Sequence, residues 1–433
     1  MHTITAISTP SGRGGIGIIR LSGDKAVEIA DLCFSSAVKV SEQEPRKMYL
    51  GNFVGDGFSD KALCVKFVAP WSYTGEDLVE FHVHGGVYLT SRVLNTLIQK
   101  GARQAEAGEF SERAVLNGKM SLDEAEGVID VIEADSAMAL RAGYRQMTGK
   151  LHGEISDIQN TLLDMLVDIS AAIDYPDEVE EEVYSGISER IEGAIERIGK
   201  LKNSNERGRL IKNGIQVAIL GKPNVGKSSL LNAILQTDRA IVTDIAGTTR
   251  DIIEESIQHN GVKIRFVDTA GIRESEDIVE KVGIEKALKV ADGADVIVLL
   301  LDGERGDFDH EEILVRYSDK KVFVCTNKCD VAKSTNGRPI SAKTGEGVEE
   351  LLDEIAKLVG VEDGEVVTSS RHTEALVRAY ESMVQAKQGV DNYTIDCISV
   401  DIKSAYTALS LITGEGVDST IIEGVFDKFC VGK

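Results

Sequence analysis

Among its six cysteines, Cys33, Cys64, Cys325, Cys329, Cys397 and Cys430, the chain has no Cys-x-x-Cys pair, and no histidine falls at zinc-site spacing from them. That speaks against a zinc module or a disulfide scaffold, and free thiols in a reducing cytosol are expected. No apolar run approaches the ~20 residues that cross a bilayer. The start, Met1-His2-Thr3-Ile4-Thr5, lacks the basic segment and apolar core of a signal peptide. A cytoplasmic protein with no membrane partner is expected. The chain also shows no internal repeat and no low-complexity tract. Positive charge is in deficit: 48 Lys and Arg stand against 71 Asp and Glu, a formal net charge of −23. Broad nonspecific nucleic-acid binding is disfavoured, although a local basic patch or a partner protein could still supply it.

Within those limits the composition is that of an ordinary soluble protein, with 42% apolar and 27% charged residues. At 433 residues, two to four domains are expected. The most informative segment is Gly221-Lys222-Pro223-Asn224-Val225-Gly226-Lys227-Ser228, which fits G-x-x-x-x-G-K-S without a mismatch. A strand-like run, Gln216–Leu220, precedes it, and a helix-like run, Ser229–Leu235, follows, which is the context a phosphate loop requires. Glycines let backbone N–H groups approach phosphate, and the helix N-terminus adds a positive field. Lys227 is placed to reach the β- and γ-phosphates, and the Ser228 hydroxyl to ligate Mg²⁺.

Three further segments specify base and switch. Asp268-Thr269-Ala270-Gly271 ends the apolar run Lys263–Val267. Asp268 there can hold Mg²⁺ through water, and Gly271 can sense the γ-phosphate through its N–H. Asn327-Lys328-Cys329-Asp330 follows the strand-like run Lys321–Cys325. The Asp330 carboxylate can accept two N–H bonds from a guanine edge, and adenine would leave it unpaired. Ser341-Ala342-Lys343 suits the guanine O6 contact. GTP is therefore the expected nucleotide. The switch is Thr243–Asp251, in which Thr249 is the expected Mg²⁺ ligand of the triphosphate state. The residue after Gly271 is Ile272, where Ras-type enzymes carry a water-orienting glutamine. Another polar group must act, and Glu274, Glu276, Asp277 and Glu280 are the open candidates.

Along the chain, residues 1–117 read as mixed strands and helices, with strands at Gly15–Leu21, Ala62–Phe67 and Leu78–His84. Gly12, Gly14, Gly15 and Gly17 mimic a dinucleotide fingerprint, but the run after them is β-like. His82 and His84 share a strand face without a third metal ligand. Ser121-Leu122-Asp123-Glu124 is a capping box that opens a long helical stretch. Within it Leu151, Ile155, Ile158, Leu162, Leu166, Ile169 and Ile173 form an apolar stripe expected in a bundle core. Asp177–Glu182 reads as a solvated turn or helix start. His259-Asn260-Gly261 between two strand-like runs is a hairpin signal. Helical character returns over His372–Lys387 and Ser399–Leu411. The simplest architecture inserts a nucleotide-binding core, 212–362, between two parts of one helical domain, 118–211 and 363–433.

Several segments together resemble one family along the whole chain. They are the phosphate loop Gly221–Ser229, the switch Asp244–Asp251 and the end Phe429-Cys430-Val431-Gly432-Lys433. The N-terminal Thr9–Arg20, with Tyr73–Asp77, His84–Gly86 and Gly108–Ala114, adds to them. The chain is similar to the MnmE (TrmE) family of tRNA modification GTPases. The resemblance implies a multidomain α/β and α protein: an N-terminal α+β folate-binding domain, a split helical domain and an inserted Ras-like P-loop GTPase domain. It implies a homodimer formed through the N-terminal domain. It also implies work with MnmG (GidA), an FAD-dependent partner. The pair would install an aminomethyl-type group on C5 of a wobble uridine in tRNA, using a tetrahydrofolate one-carbon unit.

By the same resemblance, Asn224, Thr243, Ile245 and Thr248 hold K⁺, which supplies the charge an arginine finger supplies elsewhere. Glu280 becomes the water-orienting residue. The nucleotide set comprises Asn224, Val225, Gly226, Lys227, Ser228, Ser229, Thr243, Thr248, Thr249, Asp268, Gly271, Asn327, Lys328, Asp330, Ser341, Ala342 and Lys343. Arg20, Glu80, Lys119 and Lys433 match the folate positions: cations can pair with folate carboxylates, and a glutamate can accept from the pterin N–H edge. Cys430 is a candidate for a chemical role. The chain departs from the family in a short interval between Asp330 and Ser341, which puts the length of the intervening helix in question. The competing reading is a ribosome-assembly GTPase that binds RNA without modifying it. Such a switch calls for a basic RNA-binding domain, of which the charge balance shows no sign.

Overall fold

The structure, a computed structural model, describes residues 2–237, 255–267, 280–304, 311–332, 337–360, 364–390, 392–416, 419–427 and 429–432. They fall into two compact units. The first gathers Met1–Ile129, Gln146–Ile191 and Glu381–Lys433, and the second gathers Asp130–Arg145 and Glu192–Tyr380.

Seven strands form the sheet of the first unit: β1 (Ile4–Ile7), β2 (Gly17–Ser22), β3 (Phe34–Ser36), β4 (Met48–Gly55), β5 (Phe58–Phe67), β6 (Leu78–Val83) and β7 (Arg103–Gln104). Their order is β3-β4-β5-β6-β2-β1-β7. All neighbours are antiparallel except β1 and β7. Side chains alternate between faces, so one face can be apolar and the other polar. Ile19, Leu21, Cys64, Val79 and Phe81 point into a core shared with the helices Ala26–Cys33 and Val87–Gln99. Arg20 and Glu80, directly paired across β2 and β6, lie in the opposite register. The glycine cluster before β2 leads into that strand and not into a helix, as its β-like sequence requires.

The helical part of this unit starts where the capping box places it. The Ser121 N–H donates to Glu124 Oε2 at 2.8 Å, and the Glu124 N–H donates to Ser121 Oγ at 3.4 Å. The stretch is not continuous: it divides into Leu122–Glu133, Ala137–Met147 and Lys150–Asp174. Gly149, at φ +76°, makes the last break. The expected apolar stripe also needs correction at its end. The buried seam of Lys150–Asp174 is Leu151, Ile155, Ile158, Leu162, Met165, Ile169 and Ala172. Leu166 is half-buried, and Ile173 is 48% exposed. Strict alternation of four and three steps keeps the seam against one partner helix. That partner is Ile395–Thr413, and Gln159 Nε2 donates to Ser410 Oγ at 3.0 Å across the contact. The acidic run after Tyr175 belongs to the helix Pro176–Asn203, which has proline at its first position.

The second unit contains the strands β8 (Ile215–Leu220), β9 (Glu255–His259), β10 (Val262–Phe266), β11 (Val296–Asp302), β12 (Lys321–Asn327) and β13 (Arg338–Pro339). Their order is β13-β12-β11-β8-β10-β9, and only β9–β10 is antiparallel. Every residue of β11 is buried, as a central parallel strand covered on both faces must be. The β9–β10 hairpin closes through Asn260 at φ +51° and Gly261 at φ +78°. His259 and Val262 pair, so the loop has two residues, both left-handed, which suits the twist of the strands.

Candidate functional site

The chain runs from β8 through 221–226 into the helix Lys227–Thr237. Asn224 at φ +64° and Gly226 at φ +99° curl the loop. A Cβ on Gly226 would stand 2.2 Å from Asn327 Nδ2, so the position requires glycine. Lys227 Nζ donates to the carbonyls of Gly221 at 2.7 Å and Lys222 at 2.9 Å. Burial pushes its pKa below the ordinary lysine range. No carboxylate among the described residues pairs with it. A half-buried ammonium at a helix N-terminus meets the positive end of the macrodipole, an arrangement that favours a bound anion. Ser228 and Ser229 follow on the first turn.

At the end of β12, Asn327 is 3% exposed. Its Nδ2 donates to Val225 O at 2.8 Å, and its Oδ1 accepts the Ala342 N–H at 2.9 Å. Asn327 thus braces the phosphate loop to the segment Ser341-Ala342-Lys343. Asp330 Oδ1 accepts the Ser341 hydroxyl at 2.7 Å, which orients the carboxylate of this exposed residue. The Lys328 ammonium reaches Glu304 Oε2 at 2.8 Å and Asp302 Oδ2 at 3.0 Å, and these two carboxylates raise its pKa. Among the described residues no helix lies between Asp330 and β13, and 333–336 of that interval are outside the described residues. Thr243, Ile245, Thr248, Thr249, Asp268 and Gly271 lie outside the described residues. Glu280 opens the helix Glu280–Gly293, but its side chain lies outside the described set.

The first unit holds a second cluster of polar groups. Arg20 Nε donates to Glu80 Oε1 at 3.0 Å. The Arg20 guanidinium lies 5.1 Å from the Tyr73 ring centre and 5.6 Å from that of Phe110. Its strand neighbour on the other side is Ala6, small enough to leave those rings room. Burial raises the Glu80 pKa, but the His82 hydrogen bond and the Arg20 charge outweigh it, and the net shift is downward. One buried polar atom here, Arg20 Nη1, has no hydrogen-bond partner among the described residues, while His82 Nε2 stands 3.6 Å from Glu80 Oε2. A buried donor is rarely left so, and it fits a polar ligand at this face. Lys119 belongs to the same neighbourhood: its stem lies beside Gly75, and its ammonium is 5.7 Å from the Trp71 ring centre. Trp71, Tyr73 and Gly75 all lie between β5 and β6.

The chain end also returns to this sheet. Val431 bridges Ala107, and the Ser8 hydroxyl donates to Gly432 O at 3.0 Å. Gly432 has φ +103°, and a Cβ there would meet Ile7 O at 2.3 Å. Cys430 is exposed, and Lys433 is outside the described residues. Sequence reasoning missed Tyr73, Phe110 and Asp302. Tyr73 and Phe110 stand within the segments Tyr73–Asp77 and Gly108–Ala114, but neither is given a role there. Asp302 carries a usable signal, an acid closing a wholly apolar run, as Asp268 does.

The phosphate loop, the parallel sheet and the Asn327–Asp330 and Ser341–Lys343 segments define a P-loop nucleotide-binding protein. Family models place it further. One described as the GTP-binding protein TrmE N-terminus matches residues 3–119, and one described as the MnmE helical domain matches residues 122–430. The chain is 41% identical to the tRNA modification GTPase MnmE of Acetivibrio thermocellus, across 100% of this chain and 99% of that protein. It is 39% identical to that of Clostridioides difficile, with the same coverage of both. For Finegoldia magna the identity is 38%, across 99% of each chain. The chain belongs to the MnmE family of tRNA modification GTPases. No helix among the described residues is long and apolar enough to cross a membrane.

Proposed function

We propose that this chain hydrolyses GTP, with Mg²⁺, to drive modification of C5 of a wobble uridine in tRNA. Likeness to the relatives over the full length supports the activity. The half-buried Lys227 ammonium at a helix N-terminus is the observation that carries the nucleotide part. Lys227 holds the β- and γ-phosphates, Ser228 and Thr249 hold Mg²⁺, and Asp268 and Gly271 report the γ-phosphate. Asp330, aimed by Ser341, reads the guanine edge. Glu280 orients the attacking water, since Ile272 offers no polar atom. Asn224, Thr243, Ile245 and Thr248 would hold K⁺, which would supply positive charge where negative charge develops on the phosphate oxygens in the transition state.

The second site takes a tetrahydrofolate derivative, whose chemistry when bound is the supply of a one-carbon unit. Glu80 accepts from the pterin N–H edge, and the unpaired Arg20 Nη1 supplies a further polar contact. Lys119 and Lys433 take the folate carboxylates. A homodimer through the N-terminal domain and an FAD-dependent partner of the MnmG type complete the reaction in the cytoplasm.

Two experiments test the reading. Cells lacking this protein should lose the modified wobble nucleosides, as read by mass spectrometry; an unchanged nucleoside profile overturns the tRNA role. GTP turnover should rise steeply when K⁺ replaces Na⁺, and Asn224→Ala should abolish the response. Equal turnover in both salts removes K⁺ from the site.

A further inference from the structure

Nothing in the nucleotide motifs accounts for the contacts made by the turn between Leu122–Glu133 and Ala137–Met147. Residues 134–136 form that turn, and Ser136 Oγ caps the second helix by accepting the Ala139 N–H at 3.1 Å. The turn meets the β9–β10 hairpin at three points. The Asp135 carboxylate pairs with the Lys263 ammonium, and the Asp135 carbonyl accepts from Gln258 Nε2. The Met138 N–H donates to Gly261 O at 3.0 Å. On the hairpin's turn, His259 Nε2 and Asn260 Nδ2 also reach Asp353 Oδ1, at 2.7 and 2.8 Å. Asp353 lies on the helix Val348–Ala356, which follows the base segment Ser341–Lys343.

In sequence the hairpin lies between the two switch segments: Thr243–Asp251 precedes β9, and Asp268–Gly271 follows β10 after Val267. β10 pairs in parallel with β8, Ile264 opposite Ile215 and Phe266 opposite Val217, and β8 ends at the phosphate loop. The hairpin is thereby tied to the strand that leads into the phosphate loop. Lys263 alternates with the buried Val262 and Ile264, so its side chain leaves the sheet on the side where Asp135 meets it.

We propose that Asp135, acting through Lys263, is a positioning residue for GTP hydrolysis: the turn at 134–136 holds the hairpin, whose β10 lies beside the strand that leads into the phosphate loop. The inference rests on the nucleotide reading above.

Asp135→Ala and Lys263→Met should each lower kcat for GTP by about 10- to 100-fold, the scale of an ångström-level misplacement. Affinity for a fluorescent non-hydrolysable GTP analogue should stay within about twofold. The exchanged pair, Asp135→Lys with Lys263→Asp, should recover most of kcat. Unchanged kcat in both single variants overturns the proposal. So does a loss of kcat that is matched by losses of analogue affinity and melting temperature and not recovered by the exchange, since a merely structural contact behaves that way. Absence of GTP turnover in the unaltered chain would instead remove the nucleotide reading, and this inference with it.

Discussion

The two sheets put their polar chemistry in different places. In the parallel sheet β11 is buried throughout, and helices cover both faces in such folds, so functional groups gather on loops beyond the strand ends. Lys227, Asn327 and Asp330 all stand there. In the antiparallel sheet Arg20 and Glu80 sit in mid-strand, on the face where Phe110 of the helix Glu109–Leu116 also packs. The contrast teaches that strand direction governs where a site can be built. It also governs how the site tolerates change: a loop site depends on backbone conformation, and a face site on cross-strand pairing.

Predictions that separate the two behaviours follow, the largest first. Lys227→Ala should cut GTP turnover by about 10²–10³-fold, the scale for removing a positioned charge-stabilising donor. Folate binding by calorimetry should be unaffected; loss of both would show that the two sites do not behave independently. Glu80→Ala should weaken binding of a tetrahydrofolate by about 10–100-fold, since hydrogen bonds to charged groups contribute about 1.5–3 kcal/mol. GTP turnover should hold, and equal folate affinity in the variant would take Glu80 out of the site.

A pH dependence sharpens the same point. The Glu80 carboxyl has a folded pKa below its unfolded value near 4.3. Its contribution to stability is present above that value and lost as pH falls through the folded pKa. Acid melts of the unaltered chain and of Glu80→Gln should therefore converge as pH falls below the ordinary glutamate range, and parallel curves would show that the pair carries no linkage. The smallest effect is expected at the hairpin. Gly261→Ala forces a Cβ into left-handed backbone at φ +78° and should cost about 1–2 kcal/mol in a denaturant titration. No measurable cost would mean that the turn relaxes.

Much of this was legible in the residues. The capping box at Ser121, the Asn260-Gly261 turn and the strand–loop–helix around Gly221–Ser228 are local signals, each satisfied by atoms a few residues apart. The seam of Lys150–Asp174 was legible only in part, because Leu166 and Met165 are equally apolar and the partner helix chooses between them. Of the candidate folate residues, pairing of Arg20 with Glu80 depends on strand register across 60 positions, which no local pattern encodes. Asn327 reads as a base contact from its motif, yet in the fold both ends of its amide hold loops together.

The residues alone determined the nucleotide loop and most element types, and marked the segments proposed to read guanine, because backbone conformation and local hydrogen bonds decide these. The tertiary structure decided which distant groups meet: Arg20 with Glu80, Tyr73 and Phe110, Asp135 with Lys263, and the chain end with Ser8 and Ala107. These contacts are set by sheet order and register, and by helices that bury their seams only against partners far away in the chain.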